Sequence, residues 1–503
     1  MNALTRAGKR TTFLGTGIVM VTIVLLCAHL NSMITDAPVM DDGLQNLQSA
    51  YNLKTWGVFS RERVVGTPSP DNYREPLPPA VTAAFMYLLG DARAFLNGDC
   101  ISQRFDVRTI KKINLGWAFI ALCASAVLSY RLTGSRWATV LVLLMIHYSF
   151  LRNPAYIDSL YTEIPASACM LVSALCVMAC IRKPAPHLCL LTGIMLGLLA
   201  LVKAIFLYSL VPVVLLLLLF LGLHARKTSA GNSIRGFVML GIGLLVTIGP
   251  WMVRNSIHFD SMQLSSRGGL ALYTRALINQ MDPYEYGASF HYWGPGAYRR
   301  LVRNTALDIN DRDYERSGRA VRLNDLDGSS FFRDDVVAQN EGRPEDARSF
   351  YRIARAQRVR AIMDARQSGQ HHDRHAADNY LRDEALAMIT QHPLRHMCAT
   401  ISLAWRGMWC FYGGGVFTLL GAAAYGSFIF VCLYGVARKR WDVIALIAVP
   451  FFLLLFNAFL SNNLPRFNAP AIPFMIMSMV FAAQLAVQYL SHRFKMRGGN
   501  HDG

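Results

Sequence analysis

The sequence predicts an all-α, multi-pass membrane protein with a large polar segment on one side of the bilayer, and three observations carry this. Of 503 residues, 53% are hydrophobic and only 16% charged, with a mean hydropathy of +0.29; that balance suits lipid as the solvent and not a water-soluble core. The apolar residues gather in runs of roughly 20, the length of helix that crosses a bilayer core. The Lys and Arg residues behind the formal charge of +18 sit at the ends of those runs and in short loops, where they orient helices. Nucleic-acid binding is therefore not expected.

About ten spans follow from this length rule, at 13–30, 113–130, 137–151, 164–181, 188–201, 204–223, 237–253, 414–436, 443–460 and 469–490. With the chain starting inside, the basic stretches 131–136, 182–187, 224–235, 438–441 and 492–497 all face the cytoplasm, as the bias of Lys and Arg toward that side requires. The first run follows Arg6, Lys9 and Arg10 and resembles a secretory signal. No small-residue cleavage site follows it, so a retained anchor is expected. The assignment depends on two short apolar stretches, 79–89 and 400–412, lying along the membrane surface; counting either as a span would move every later basic loop to the wrong side.

Two large stretches remain outside. The chain accordingly divides into an N-terminal membrane module, 1–253, whose first outer loop is 31–112; an extracytoplasmic domain, 254–398; and a C-terminal membrane module, 399–503. Charged and amphipathic patterns over 344–367 and 379–397 make the outer domain mainly helical. No inverted repeat of the transporter kind is visible.

The polar residues at the outer boundary are the candidates for chemistry. Asp41 and Asp42 open a helix expected to lie on the membrane surface, where carboxylates either cap the helix dipole or act on a substrate. Asp158 and Glu163 share the short loop NPAYIDSLYTEIPA. Glu163 stands at the mouth of a span, where an ionisable group is costly unless it faces a polar cavity. Arg74, Lys203, Arg254 and Arg466 all lie at outer boundaries, against the normal bias. Any one could snorkel to headgroups; together they suggest an anionic ligand. The run HHDRH at 371–375 cannot bring all its ligands to one metal without strain and reads as a solvated tract. The ten Cys are scattered without zinc or redox spacing and read as packing residues, with a Cys100–Cys398 disulfide left open.

These residues resemble the GT-C-fold, polyprenyl-phosphate-sugar-dependent glycosyltransferases, which include lipid A aminoarabinose transferase and protein O-mannosyltransferases. Asp42, Ala50, Leu53 and Gly57 keep the register of the family's acidic first-loop motif; Asn46 replaces its aromatic and Gly43 stands where many members have Glu. REPLPPAVTAAFMYLLG, with Arg74 and Pro76, is similar to the R-x-P-x-x-P surface helix. GPWMVRNSIHFDSMQLSSRGGLALY matches P-W-x-x-R-N and S-x-x-G-G-x-x-L-Y at Pro250, Trp251, Arg254, Asn255, Gly268, Gly269 and Tyr273. Arg466, Phe467, Pro470 and Pro473 match R-[YF]-x-x-P-x-x-P, with Pro465 where a Glu usually precedes. ALAMITQHPLRHMCATISLAWR resembles the helix that returns the outer domain to the membrane. The motifs stand in the family's order over most of the chain.

The resemblance implies a GT-C-type helical bundle with surface-lying helices in its first outer loop. It implies an inner (plasma) membrane enzyme that faces the periplasm or outside and takes a hexosyl or pentosyl unit from a polyprenyl-phosphate donor. The sugar would pass to a cell-envelope glycan, a lipid such as lipopolysaccharide, or a protein. Asp42, with Asp41 as its alternative, would be the catalytic carboxylate; Arg74, Lys203, Arg254, Arg466, Asn255 and Tyr273 would bind substrate. Asp158 and Glu163 would orient the acceptor or hold a divalent cation, a cofactor that stays open at this point. Because phosphate leaves as a stable anion, one carboxylate suffices where a glycoside hydrolase needs two. The rivals are a lipid-linked glycan transporter or flippase, expected to carry charges midway along its spans, and an O-antigen ligase or polymerase, which lacks the Asp-led loop and the C-terminal Arg motif.

Overall fold

The computed structural model describes residues 2–64, 66–89, 107–225, 230–302, 309–370, 372–413 and 415–498. All of the regular elements among these residues are helices. Seven are long and apolar enough to cross a membrane: Val107–Thr133, Glu163–Arg182, Ile205–Gly222, Ile234–Phe259, Val416–Ala437, Trp441–Leu460 and Pro465–Arg493.

Of the other expected spans, the first falls on the long helix Asn2–Ser32, and two fall on the apolar helices Arg136–Leu151 and Pro186–Val202, which are shorter than the length rule asks. Pro186–Val202 has 17 residues, which at 1.5 Å each cover about 25 Å, less than a hydrocarbon core of about 30 Å. It stops because Lys203 takes an extended backbone conformation before the chain re-enters a helix at Ile205.

The two borderline stretches are absent from the long apolar helices. Leu77–Leu88 is a 12-residue helix that opens on Pro78 and Pro79, where a missing N–H costs nothing; it packs against the helix Asp41–Trp56. Pro393–Met408 is amphipathic at helical spacing. It buries His396, Ala399, Leu403 and Arg406, while Leu394, Met397 and Ile401 are exposed, an apolar face that suits lipid contact.

Three apolar cores hold the molecule. The largest lies between the membrane helices and includes Ile23, Leu122, Phe150, Leu171, Leu199, Val449 and Phe474. A second, with Leu277, Tyr314, Leu323, Phe350 and Leu403, binds the outer segment to the return helix. A third, with Val39, Leu47, Ala83, Met86, Ile110 and Leu160, lies under the surface helices. The outer segment is also tied to the bundle by Arg275, which is 0% exposed. Its guanidinium donates to the carbonyls of Ala458 (3.2 Å) and His396 (2.7 Å) and to Thr400 Oγ1 (2.8 Å), and reaches Asn279.

The His tract is solvated in part: His372 and Arg374 are exposed, but His375 is not. His375 is buried, stacks on Phe259 at 4.8 Å and shares a 2.8 Å hydrogen bond with Asn72 Oδ1, while Asp373 pairs with Arg366 at 2.8 Å. Burial against an aromatic from the end of a span is a tertiary effect that the tract's own polarity does not reveal. Cys398 is exposed and unpaired; Cys100 and His371 lie outside the described residues.

Candidate functional site

The helix Asp41–Trp56 begins under strain. Asp41 has φ of +50°, a left-handed conformation that costs a non-glycine residue about 1 to 3 kcal/mol and that collects at functional sites. Its carboxylate accepts a 3.3 Å hydrogen bond from the Tyr161 hydroxyl. The first turn then presses on the loop before Glu163. A Cβ at Gly43 would lie 2.6 Å from Ser159 Oγ and 3.2 Å from the Leu160 nitrogen, so the Glu found in the resembling family has no room here.

One turn on, Asn46 donates to the Leu160 carbonyl at 2.7 Å and accepts from Arg74 Nε at 3.0 Å. The residue that replaces the family's aromatic thus aims an arginine. Arg74, 3% exposed, gives its Nη1 to Asp42 Oδ1 at 2.9 Å. Arg466 Nη2 reaches Asp42 Oδ2 at 2.9 Å, and Arg267 Nη1 lies 3.8 Å from Oδ1.

Burial pushes the Asp42 carboxyl up, but Arg74, Arg267, Arg466 and Lys203 outweigh it and hold the group well below the usual carboxylate range. Asp42 is therefore an anion at any physiological pH. Beside it, Lys203 Nζ bonds Glu163 Oε1 at 3.0 Å, and Glu163 Oε2 is buried with no hydrogen-bond partner among the described residues. Arg466 interacts with both Asp42 and Glu163.

The turn that carries Arg466 is fixed by buried amides. Asn457 donates to Asn468 Oδ1 at 2.9 Å, Asn468 to Asn463 Oδ1 at 3.0 Å, and Asn463 to the Leu403 carbonyl at 2.8 Å. Such a closed network holds one geometry because breaking any member leaves a buried polar group unpaired.

Asp42, Arg74, Glu163, Lys203 and Arg466 thus come together. Arg267 joins them although sequence reasoning did not select it. The available signal was its place directly before Gly268 and Gly269, where the helix Gly268–Ile278 starts. The Asp378 carboxylate accepts from the Gly269 and Leu270 nitrogens at 3.0 and 3.1 Å, and a Cβ at Gly269 would lie 1.8 Å from the Asp378 carbonyl oxygen.

The other candidates make different contacts. Asp158 bonds Lys111 Nζ (2.9 Å) and the Thr35 nitrogen (2.7 Å). Arg254 donates to the carbonyls of Asp71 (3.0 Å) and Phe59 (3.2 Å) and to Asn255 Oδ1, while Asn255 donates to the Gln263 carbonyl at 2.7 Å. Tyr273 packs on the outer core, where burial, Tyr380 and Glu384 push its phenol up to about 12. Among the described residues no group of three or more His, Cys, Asp and Glu could hold a metal, and a divalent cation wants several oxygen ligands. The donor set around Asp42, mostly guanidinium, does not fit one.

No family model matches the chain, and comparison with curated proteins gives no match. Among solved structures it is similar to the archaeal oligosaccharyltransferase AglB from Archaeoglobus fulgidus, in complex with an inhibitory peptide and a dolichol-phosphate. The identity is 10% and the TM-score 0.48, covering 98% of this chain and 52% of that one. It is also similar to the arabinosyltransferase EmbB from Mycobacterium smegmatis, at 13% identity and a TM-score of 0.33, covering 93% of this chain and 41% of that one. The chain thus spans about half the length of AglB and less of EmbB.

Chemically, the arrangement offers the ionised Asp42 carboxylate, with Glu163 beside it, inside a positive shell. Planar guanidiniums suit the oxygens of a phosphate, and the carboxylate can accept a proton.

Proposed function

We propose that this chain is a GT-C-type membrane glycosyltransferase, with its site on the non-cytoplasmic face of the inner (plasma) membrane. It moves a hexosyl or pentosyl unit from a polyprenyl-phosphate donor to a cell-envelope glycan, lipid or protein. The observation that carries this reading is the Asp42 carboxylate held between Arg74 and Arg466 at 2.9 Å each, with Arg267 at 3.8 Å. Sugar nucleotides are confined to the cytoplasm, so a transferase facing the other side needs a donor delivered in the lipid. The positive-inside pattern of the loops supports that orientation.

The donor phosphate competes with Asp42 for the same guanidiniums. Arg466 and Lys203, at the ends of membrane helices, lie where a lipid-borne phosphate would arrive, and Arg267 approaches from the outer segment. As these cations turn to the phosphate, Asp42 loses counter-charge and its proton affinity rises toward that of an ordinary carboxylate, which makes it a better base. The acceptor hydroxyl attacks the anomeric carbon from the face opposite the phosphate, and its proton passes to Asp42. The carbon–oxygen bond to phosphate breaks, polyprenyl phosphate leaves on the arginines, and the sugar carbon is inverted.

The test is sugar transfer by purified protein from a polyprenyl-phosphate donor. Asp42→Asn should lose activity about 100- to 10,000-fold while keeping its detergent-extracted fold; turnover close to wild type would remove Asp42 from the mechanism. Comparing envelope glycans by mass in cells with and without the gene would name the sugar and the acceptor.

A further inference from the structure

A second positive cluster adjoins the first and is centred on Tyr73. The Arg61 guanidinium lies 3.4 Å from the centre of the Tyr73 ring, with those of Arg358 and Arg267 at 4.8 and 4.9 Å. Arg358 Nη1 donates to the Tyr73 hydroxyl at 3.2 Å, and its buried Nε has no hydrogen-bond partner among the described residues. Arg355, one turn earlier on the helix Phe350–Gln367, lies over Tyr351 at 4.7 Å and acts electrostatically on Tyr73.

Carboxylates do not balance this charge. Asp71 pairs with Arg61 at 2.8 Å, and Arg267 shares Asp42 at 3.8 Å and also feels Glu75, three carboxylates of which Asp42 is already held by Arg74 and Arg466. Arg355 and Arg358 form no ion pair among the described residues, although Arg352, Arg360 and Arg366 of the same helix each meet an acidic group. Massed guanidiniums repel one another, and among the described residues the fold keeps Arg355 and Arg358 beside Arg61 and Arg267 with no carboxylate partner of their own. Burial would push the Tyr73 phenol up, yet the four arginines pull it down to about 7, the mark of a strong positive field.

We propose that Arg61, Arg267, Arg355 and Arg358 form a second anion subsite that holds a phosphate group on the acceptor. The inference rests on the transferase reading above. The acceptor is chosen over the donor because Arg355 and Arg358 belong to the outer segment, remote in sequence from the span ends that carry Lys203 and Arg466. Arg267 touches both clusters and joins the two substrates' anions across Asp42.

Tyr73 supplies its own reporter. Tyrosinate absorbance of the purified full chain, taken as the difference from Tyr73→Phe, should show a transition near neutral pH. Inorganic phosphate should move it upward by about one pH unit. Arg355→Gln/Arg358→Gln should need about tenfold more phosphate for the same shift. With phosphorylated and dephosphorylated forms of one glycolipid acceptor, the double variant should raise KM for the former alone and leave kcat unchanged. Absence of the transition, a transition insensitive to phosphate, or a double variant that titrates as wild type would each overturn the subsite. An upward shift produced by phosphatidylglycerol nanodiscs and not by phosphate would assign the cluster to lipid headgroups and overturn the acceptor role. A KM effect that follows a diphosphate donor would do the same. Because the titration needs no turnover, its failure leaves Asp42 chemistry standing, and loss of transfer with the titration intact counts against the transferase reading alone.

Discussion

Asp158 and Asp42 are both acidic residues at the same end of the bundle, and both meet cations, but their surroundings differ. Asp158 faces one ammonium, Lys111, which is 0% exposed and also donates to the carbonyls of Thr35 (3.0 Å) and Ala37 (2.6 Å). Every charge there has its match, and the group works as a latch on the start of the first loop. Asp42 faces three guanidiniums and keeps 22% of its side chain open. Surplus positive charge with access to solvent is what the proposed donor phosphate would meet. The balance of charge, and not the mere presence of an ion pair, separates the two.

The largest effect that would sharpen this contrast is kinetic. Asp42→Asn is expected to reduce turnover of the folded protein about 100- to 10,000-fold, whereas Asp158→Asn should cost about 3 kcal/mol of stability by stranding a buried lysine and leave turnover of the folded protein close to wild type. Transfer assays and thermal melts of the two purified variants test this; a loss of turnover in folded Asp158→Asn equal to that of Asp42→Asn would break the comparison. Next, Gly43→Ala should destabilise the first loop by about 1 to 3 kcal/mol, read as a lowered melting temperature with a proportionate loss of activity.

A smaller effect is expected at Arg466. Arg466→Lys keeps the charge but loses the planar fork, and donor KM should rise about tenfold with a lesser change in kcat. An unchanged KM would place the donor phosphate elsewhere. The smallest effect concerns acid. The Asp42 carboxyl is held below its unfolded value, so its contribution to stability is complete above the normal carboxylate pKa of about 3.9 and is lost as pH falls through the lower folded value. The melting temperature of Asp42→Asn relative to wild type should therefore stay constant from neutral pH down to about pH 4. A crossover between pH 5 and about 7 would show that the arginines do not hold the carboxylate as described.

The all-helical, multi-pass class was legible because lipid imposes a length and polarity rule that single segments obey. The number of spans was less so. The helix ends at Lys203 inside an unbroken apolar stretch, and the partner its ammonium finds there, Glu163, lies in another helix. In the site, the cations at span ends were visible as exceptions to the charge bias. The structure brings Arg74, Lys203 and Arg466 to the two acidic residues, while Arg254 and Asn255 bond backbone carbonyls, a kind of partner that no side-chain pattern announces. Arg267 and the arginines around Tyr73 were hidden for the same reason: segments 285 residues apart meet there, and charge on an exposed-looking helix reads as solvated until its neighbour is known. Gly43 was noted as a departure from the family's pattern, but only its packing on Ser159 explains it.

Arg275 has a practical consequence for engineering. Because one fully enclosed side chain is shared by the outer segment, the return helix and the tip of a membrane helix, those parts cannot be exchanged as interchangeable cassettes. A chimera that grafts a foreign outer segment should assemble only if it supplies an arginine at that junction; otherwise it would leave main-chain oxygens of the host without donors.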